Sequence, residues 1–288
     1  MQVLEKYKGD YYKTPWEEIE METKQIVSSY LQHNYPQQVR DTARFASLSD
    51  NMQQNALQLL QYMHSEQKAS QFRPIAFEKN ISFDSDIKPL TITLDDGSRV
   101  SVVGVCDRID TMEKDGSNYI RIVDYKTGTK KFGLEDVYNG LSSQLLLYMG
   151  SVTQSDGFVP NPVPAAVMYQ PSDAAFKFDE DGSLYTPVGM AVDSRTVSEG
   201  FDNECLGRFG VIQGDEKLFH AIMEHSKDKI KEMAQAVYAG QFDNLPMDLG
   251  SERTSCEWCG YRPICQEFDR IRPRQKADFR VKGDEQNG

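Results

Sequence analysis

The chain has 288 residues, is 39% hydrophobic and 26% charged, and carries a formal net charge of −12. That balance excludes a disordered chain and leaves one large domain, or a core with appendages, able to bury a sizeable interior. No run reaches the roughly 20 apolar residues of a membrane helix, and MQVLEKYKGD lacks the basic start and apolar stretch of a signal peptide. A cytoplasmic protein without a membrane partner is the expectation.

Residues 1–70 read as helical and polar. The clearest segment runs from Ser49, taken as its cap, to Ser70, with Leu57, Leu60, Met63 and His64 at helical spacing. Pro74 changes the period. Ile75, Phe77, Ile81 and Phe83 alternate, as do Leu90, Ile92 and Leu94, and Asp95-Asp96-Gly97 is a hairpin turn. Val100 to Ile109 is an apolar strand run, Asp115-Gly116 turns the chain again, and Tyr119 to Asp124 follows, which predicts an antiparallel meander. A helix should come next, on the stripe Leu141, Leu145, Leu146, Met149 and Val152, with Gln144 and Tyr148 at i and i+4. Val163–Tyr169 and Gly189–Val192 read as strands. The span from Asp215 to Ala239 reads as a long helix, with Leu218, Ile222, Ile230, Met233 and Val237 as its stripe and Gly240 at the C-terminal cap.

Two carboxylates end apolar strand runs, Asp107 in GVCDRID and Asp124 in IVDYKTG. Adjacent antiparallel strands would bring them together to share a hard cation that prefers oxygen ligands, with the Tyr125 carbonyl as a further oxygen. Lys126 lies two residues after Asp124, on the same face of an extended strand. Such a set suits metal-assisted phosphodiester hydrolysis, in which the lysine orients or helps deprotonate the attacking water. A short D-x-K alone is weak evidence, and Asp107, Arg108 and Asp110 also read as surface charges at a hairpin. Gln144 and Tyr148 equally read as an ordinary buried tyrosine on a leucine-rich helix, and Glu78 as a plain strand carboxylate before an extra acidic group at the metal.

Despite the acidic total, two local clusters are basic: Arg121, Lys126, Lys130 and Lys131, and a C-terminal group from Arg270 to Lys282, which also reads as a solvated tail. Cys256, Cys259 and Cys265 put three soft ligands within ten residues, a spacing that suits zinc or an iron–sulfur cluster.

The ordered set G-x-x-D-R-I-D, I-V-D-Y-K-T-G and Q-L-L-L-Y resembles the RecB-family branch of the PD-(D/E)xK nucleases, and most of all the C-terminal nuclease domain of the AddB component of bacterial AddAB helicase–nucleases. The likeness covers roughly residues 70–270. It implies an α/β, restriction-endonuclease-like fold, a mixed central sheet flanked by helices. It further implies metal ligation (Mg²⁺ or Mn²⁺) by Asp107 and Asp124, a catalytic Lys126, and Gln144 and Tyr148 as the helix motif beside the site. It implies DNA as substrate, at ends or as single strand after unwinding, and a helicase–nuclease partner of AddA type. By the same resemblance the three cysteines join one upstream to hold a [4Fe–4S] cluster, and a helical His precedes the core. Here no cysteine precedes Cys106, and His33 and His64 qualify by position only. The expectation is a fragment with an incomplete cluster and weak or no nuclease activity, Cys205 being a weaker fourth ligand. The expected organisation is a helical region over 1–70, the nuclease core over 71–200, a helix and cysteine segment over 201–270, and a basic tail over 271–288. A non-catalytic DNA-binding or structural module, with zinc on the cysteines, is the alternative.

Overall fold

A computed structural model describes residues 2–128, 131–155, 157–172, 185–201, 211–241, 245–250, 253–265 and 271–279. The N-terminal region is helical, as predicted: α1 (Gln2–Tyr7), α2 (Trp16–Asn34), α3 (Gln37–Arg40) and α4 (Ala43–Ala69). Helix α4 begins earlier than its apolar spacing suggests. Thr42 is the cap, accepting the Phe45 N–H on its hydroxyl, while Ser49 sits inside the helix and donates back to the Phe45 carbonyl.

Strands β1 (Arg73–Ile81), β2 (Leu90–Thr93), β3 (Arg99–Val102), β4 (Gly104–Lys114) and β5 (Ser117–Lys126) follow. They do not form one meander. The run from Val100 to Ile109 breaks at Val103, and β2 and β3 pair as a separate hairpin. The β-branched residues on both sides of the break hide it from the sequence pattern.

Beyond β5 come α5 (Leu134–Tyr138), α6 (Gln144–Gln154), β6 (Pro162–Pro171), β7 (Val188–Val192), α7 (Arg195–Gly200), β8 (Val211–Gly214) and α8 (Glu216–Tyr238). The short strands β9 (Asp248–Gly250) and β10 (Arg253–Thr254) close the described fold. The central sheet has six strands in the order β1-β4-β5-β6-β7-β8. β5–β6 and β7–β8 are parallel and the other pairs antiparallel, so the sheet is mixed, and the β5–β6 pair needs the crossover that α5 and α6 supply.

Two apolar clusters hold these layers. The larger joins Ile120, Ile122, Val167 and Met190 of the sheet to Leu145 and Met149 of α6 and to Phe219 and Ile222 of α8. The second is N-terminal, built from Val3, Leu4, Tyr11, Ile19, Leu60 and Met63, and Phe77 and Tyr125 of the sheet pack against it. The predicted stripe of α8 is buried only in its first half, because Met233 and Val237 lie exposed beyond the sheet. The C-terminal stretch is fastened rather than free over its described part. Arg274 bonds Asp136 at 2.8 Å, Gln275 and Asn139 exchange hydrogen bonds, and Phe279 packs edge-on against Tyr138 and His225.

Candidate active site

The period of two along β5 sends Asp124 and Lys126 to one side and Tyr125 to the other. Lys126 Nζ lies 2.5 Å from Asp124 Oδ2, the carboxylate nearly buried and the lysine partly exposed. The same ammonium is 5.7 Å from the ring centre of Tyr169, which is the register partner of Asp124 on β6. Burial, reinforced by the Asp124 charge, pushes the Tyr169 phenol up to about 12, so it stays neutral at working pH. Its hydroxyl bonds Ser142, which has a positive φ of 54° at the entry to α6.

Asp107 reaches the same place from β4. Its Oδ2 accepts the backbone N–H of Tyr125 at 2.8 Å, which fixes the carboxylate to the peptide between Asp124 and Lys126. Glu78 lies across from it on β1, between the register pairs Phe77↔Arg108 and Lys79↔Cys106. Glu78 has φ +47°, a costly conformation for a side-chain-bearing residue and one that clusters at functional sites. Glu78 and Asp107 border one cavity. In the sequence Glu78 reads as a plain strand carboxylate; the β1–β4 register and the shared cavity put it on the same rim as Asp107.

Beneath these groups lies a buried ionic chain. Glu66 of α4 bonds Arg121 at 2.8 Å, and Arg121 bonds Asp110 at 2.7 Å. Asp110 pairs with Arg108 at 3.0 Å, and Arg108 bonds the Tyr125 hydroxyl at 2.8 Å. Asp110 is fully buried, and Arg108 and Arg121 are at most 3% exposed. Burial opposes the Arg108 charge, but Asp110 and Tyr125 outweigh it and hold its pKa above the ordinary guanidinium value. Burial pushes the Tyr125 phenol up to about 12. Arg108 and Asp110 are therefore not surface charges at a hairpin, and Arg121 is withdrawn from the expected basic patch. Each charge is neutralised by a partner because an unpaired buried ion is prohibitively costly.

The helix motif meets the strand motif directly. Gln144 Nε2 donates to the Tyr148 hydroxyl at 3.2 Å, and a β-carbon placed on Gly104 would lie 2.2 Å from that oxygen. Gly104, three residues before Asp107, is the residue that lets Tyr148 seat against β4. Gln144 is exposed while Tyr148 is buried, so Tyr148 is a core tyrosine with a satisfied hydroxyl that also props the Asp107 strand. His64 is buried, 2.9 Å from the Thr14 carbonyl through Nε2 and edge-on to Tyr11; burial lowers its pKa. It is structural, and His33 is exposed on α2.

Asp107 and Asp124 offer only oxygen donors, which fits Mg²⁺ or Mn²⁺ rather than a soft metal. Among the described residues no three His, Cys, Asp or Glu side chains form a group able to hold a metal ion by themselves. That also fits magnesium, which is usually held by one or two carboxylates with water and substrate phosphate completing the shell. The cysteines are placed differently. Cys256 lies in a single 3₁₀ turn (Ser255–Trp258), Cys259 follows it in the open, and Cys265 is half-buried. As placed, the trio is not gathered into a metal site, and Cys205 lies outside the described residues. Cys106 is buried in the main core, where burial pushes its thiol up.

Residues 2–266 match the PD-(D/E)XK nuclease superfamily. The chain belongs to that superfamily. Among its relatives is the B component of the ATP-dependent helicase/deoxyribonuclease of Clostridium acetobutylicum, 30% identical over 229 residues that cover 70% of this chain and 20% of the relative. The protein of the same name from Symbiobacterium thermophilum is 29% identical over 242 residues, 75% of this chain and 21% of the relative. That of Clostridium tetani is 23% identical over 315 residues, 94% of this chain and 26% of the relative. The chain thus spans about a fifth to a quarter of the length of these curated relatives. The mixed six-stranded sheet flanked by helices agrees with the restriction-endonuclease-like fold of the superfamily. No helix among the described residues is long and apolar enough to cross a membrane.

Proposed function

We propose that this chain hydrolyses phosphodiester bonds of DNA as a metal-dependent exonuclease domain, within a helicase–nuclease that prepares double-strand breaks for recombination in the cytoplasm. The observation that carries the reading is the Asp107 carboxylate held on the peptide between Asp124 and Lys126. Asp107, Asp124 and the Tyr125 carbonyl would hold Mg²⁺ or Mn²⁺, which when bound polarises the phosphoryl oxygen and acidifies a water. Lys126 supplies the donor that orients the attacking water. The Tyr125 N–H keeps Asp107 in position, while Gln144 and Tyr148 brace the strand that carries it. Glu78, on the rim, adds a third carboxylate to the acidic face.

The partner is proposed to be a helicase–nuclease component of AddA type, on the names the relatives carry. Cys256, Cys259 and Cys265, whose spacing suits zinc or an iron–sulfur cluster, are proposed on the family resemblance as three ligands of a [4Fe–4S] cluster whose fourth thiolate comes from elsewhere. A non-catalytic module is disfavoured, since it gives no reason for two carboxylates and a lysine on one strand pair within a nuclease-superfamily chain. The test is digestion of linear DNA by the full-length protein with and without EDTA. Cleavage that needs Mg²⁺ or Mn²⁺ and disappears in Asp124→Ala is expected; metal-independent cleavage, or a fully active Asp124→Ala, would overturn the reading.

A further inference from the structure

A cavity of ≈ 550 Å³ lies between the N-terminal helices and the catalytic strands. Its walls are aliphatic, formed by Leu4 of α1, Ile26 of α2 and Leu59 and Met63 of α4. Its other side is the rim of the candidate site, where Glu78 and Asp107 border it. A mostly apolar chamber with a few polar groups at one end is the usual form of a small-molecule subsite. Two carboxylates at that end repel a phosphate unless a cation bridges them. What enters the apolar part must therefore be a neutral portion of the molecule whose phosphate sits at the rim.

We propose that this chamber receives the base of the nucleotide adjacent to the scissile phosphate, one unpaired base being unstacked into the helical region. The inference rests on the nuclease reading above and adds to it a base subsite. A base stacked in a duplex is covered on both faces and cannot enter, whereas an unpaired base offers a flat apolar face to Leu59, Met63 and Ile26. Away from the two carboxylates the polar groups around the chamber are few: Gln2, Thr23, Ser172 and Tyr125, of which Thr23 already donates its hydroxyl to the Ile19 carbonyl and Tyr125 already accepts from Arg108. Recognition is therefore by apolar contact and shape, which tolerates all four bases.

The test uses the full-length protein and a ladder of single-stranded oligonucleotides, each with one tetrahydrofuran abasic residue at a different position. The proposal expects one position at which losing the base lowers kcat/KM about tenfold, with little difference between the four bases there. Ala56→Phe, which fills the chamber from α4, should erase that position dependence, and Val27→Phe should repeat the result from α2. Uniform cleavage across the ladder, or variants that keep the dependence, would overturn the proposal. A second measurement is independent of cleavage: oligonucleotides with 2-aminopurine at each position are bound in Ca²⁺ in place of Mg²⁺. A change of emission confined to one position, and lost in Ala56→Phe, supports the chamber even if no substrate is cut and the nuclease reading fails. Emission that does not depend on position sinks the base subsite while leaving the nuclease reading intact.

Discussion

The two ends of the chain's chemistry are built in opposite ways. The strand pair carrying Asp107, Asp124 and Lys126 rests on a buried chain of ion pairs from Glu66 to Arg108, which bonds the Tyr125 hydroxyl. The cysteine segment rests on a two-stranded ribbon and a single 3₁₀ turn, with Cys259 and Tyr261 in the open. The first region is organised before any ligand arrives; in the second, Tyr261 and Ile264 lie exposed among the described residues. Buried charges that satisfy one another can hold a site rigid, whereas three thiols spread over and beyond a short turn need a ligand to draw them together.

The comparison breaks most visibly at Arg121. Arg121→Met leaves Asp110 and Glu66 buried without their shared guanidinium, and should cost about 3–5 kcal/mol in chemical denaturation. A loss below about 1 kcal/mol would mean the ionic chain does not hold the catalytic strands. Gly104→Ala comes next. Its new methyl group meets the Tyr148 hydroxyl, so either α6 or β4 must shift, at a cost of about 1–3 kcal/mol. Tyr148→Phe in the same background should recover part of that loss, because it removes the oxygen nearest the clash. At the other end, Cys256→Ser should move the stability of metal-free protein by no more than about 0.5 kcal/mol. The smallest effect is also the sharpest contrast. In native protein an alkylating reagent followed by peptide mass mapping should label Cys259 and spare Cys106, which is 1% exposed and has its thiol pushed up by burial. Equal labelling of the two would erase the distinction.

Much of the strand pair carrying Asp107, Asp124 and Lys126 is legible in the sequence because its signals are local. An apolar run ending in Asp, and an Asp two residues before a Lys, declare both the strand and the face. The helix with Gln144 and Tyr148 is legible for the same reason. The break at Val103, the separate β2–β3 hairpin and the early start of α4 are not, since each depends on what packs against the segment. The ionic chain is hidden for a deeper reason. Arg108, Asp110 and Arg121 look like surface charges until Glu66, 55 residues before Arg121, is brought over them. Glu78 reads from the sequence as a plain strand carboxylate, because its place on the cavity beside Asp107 depends on the pairing of β1 with β4.

The most direct test of a centre built on Asp107, Asp124 and Lys126 is single-turnover cleavage of linear DNA by full-length Lys126→Ala, with its thermal unfolding measured alongside. The ammonium is partly exposed and its removal leaves the buried ionic chain untouched. Asp124, nearly buried, loses its ion pair, so the expected result is a lowered melting temperature in a protein that still unfolds cooperatively, with the cleavage rate down at least about a hundredfold, the scale of a positioned proton-transfer or charge-stabilising group. A Lys126→Ala protein that unfolds cooperatively and cuts DNA at the wild-type rate would contradict the account.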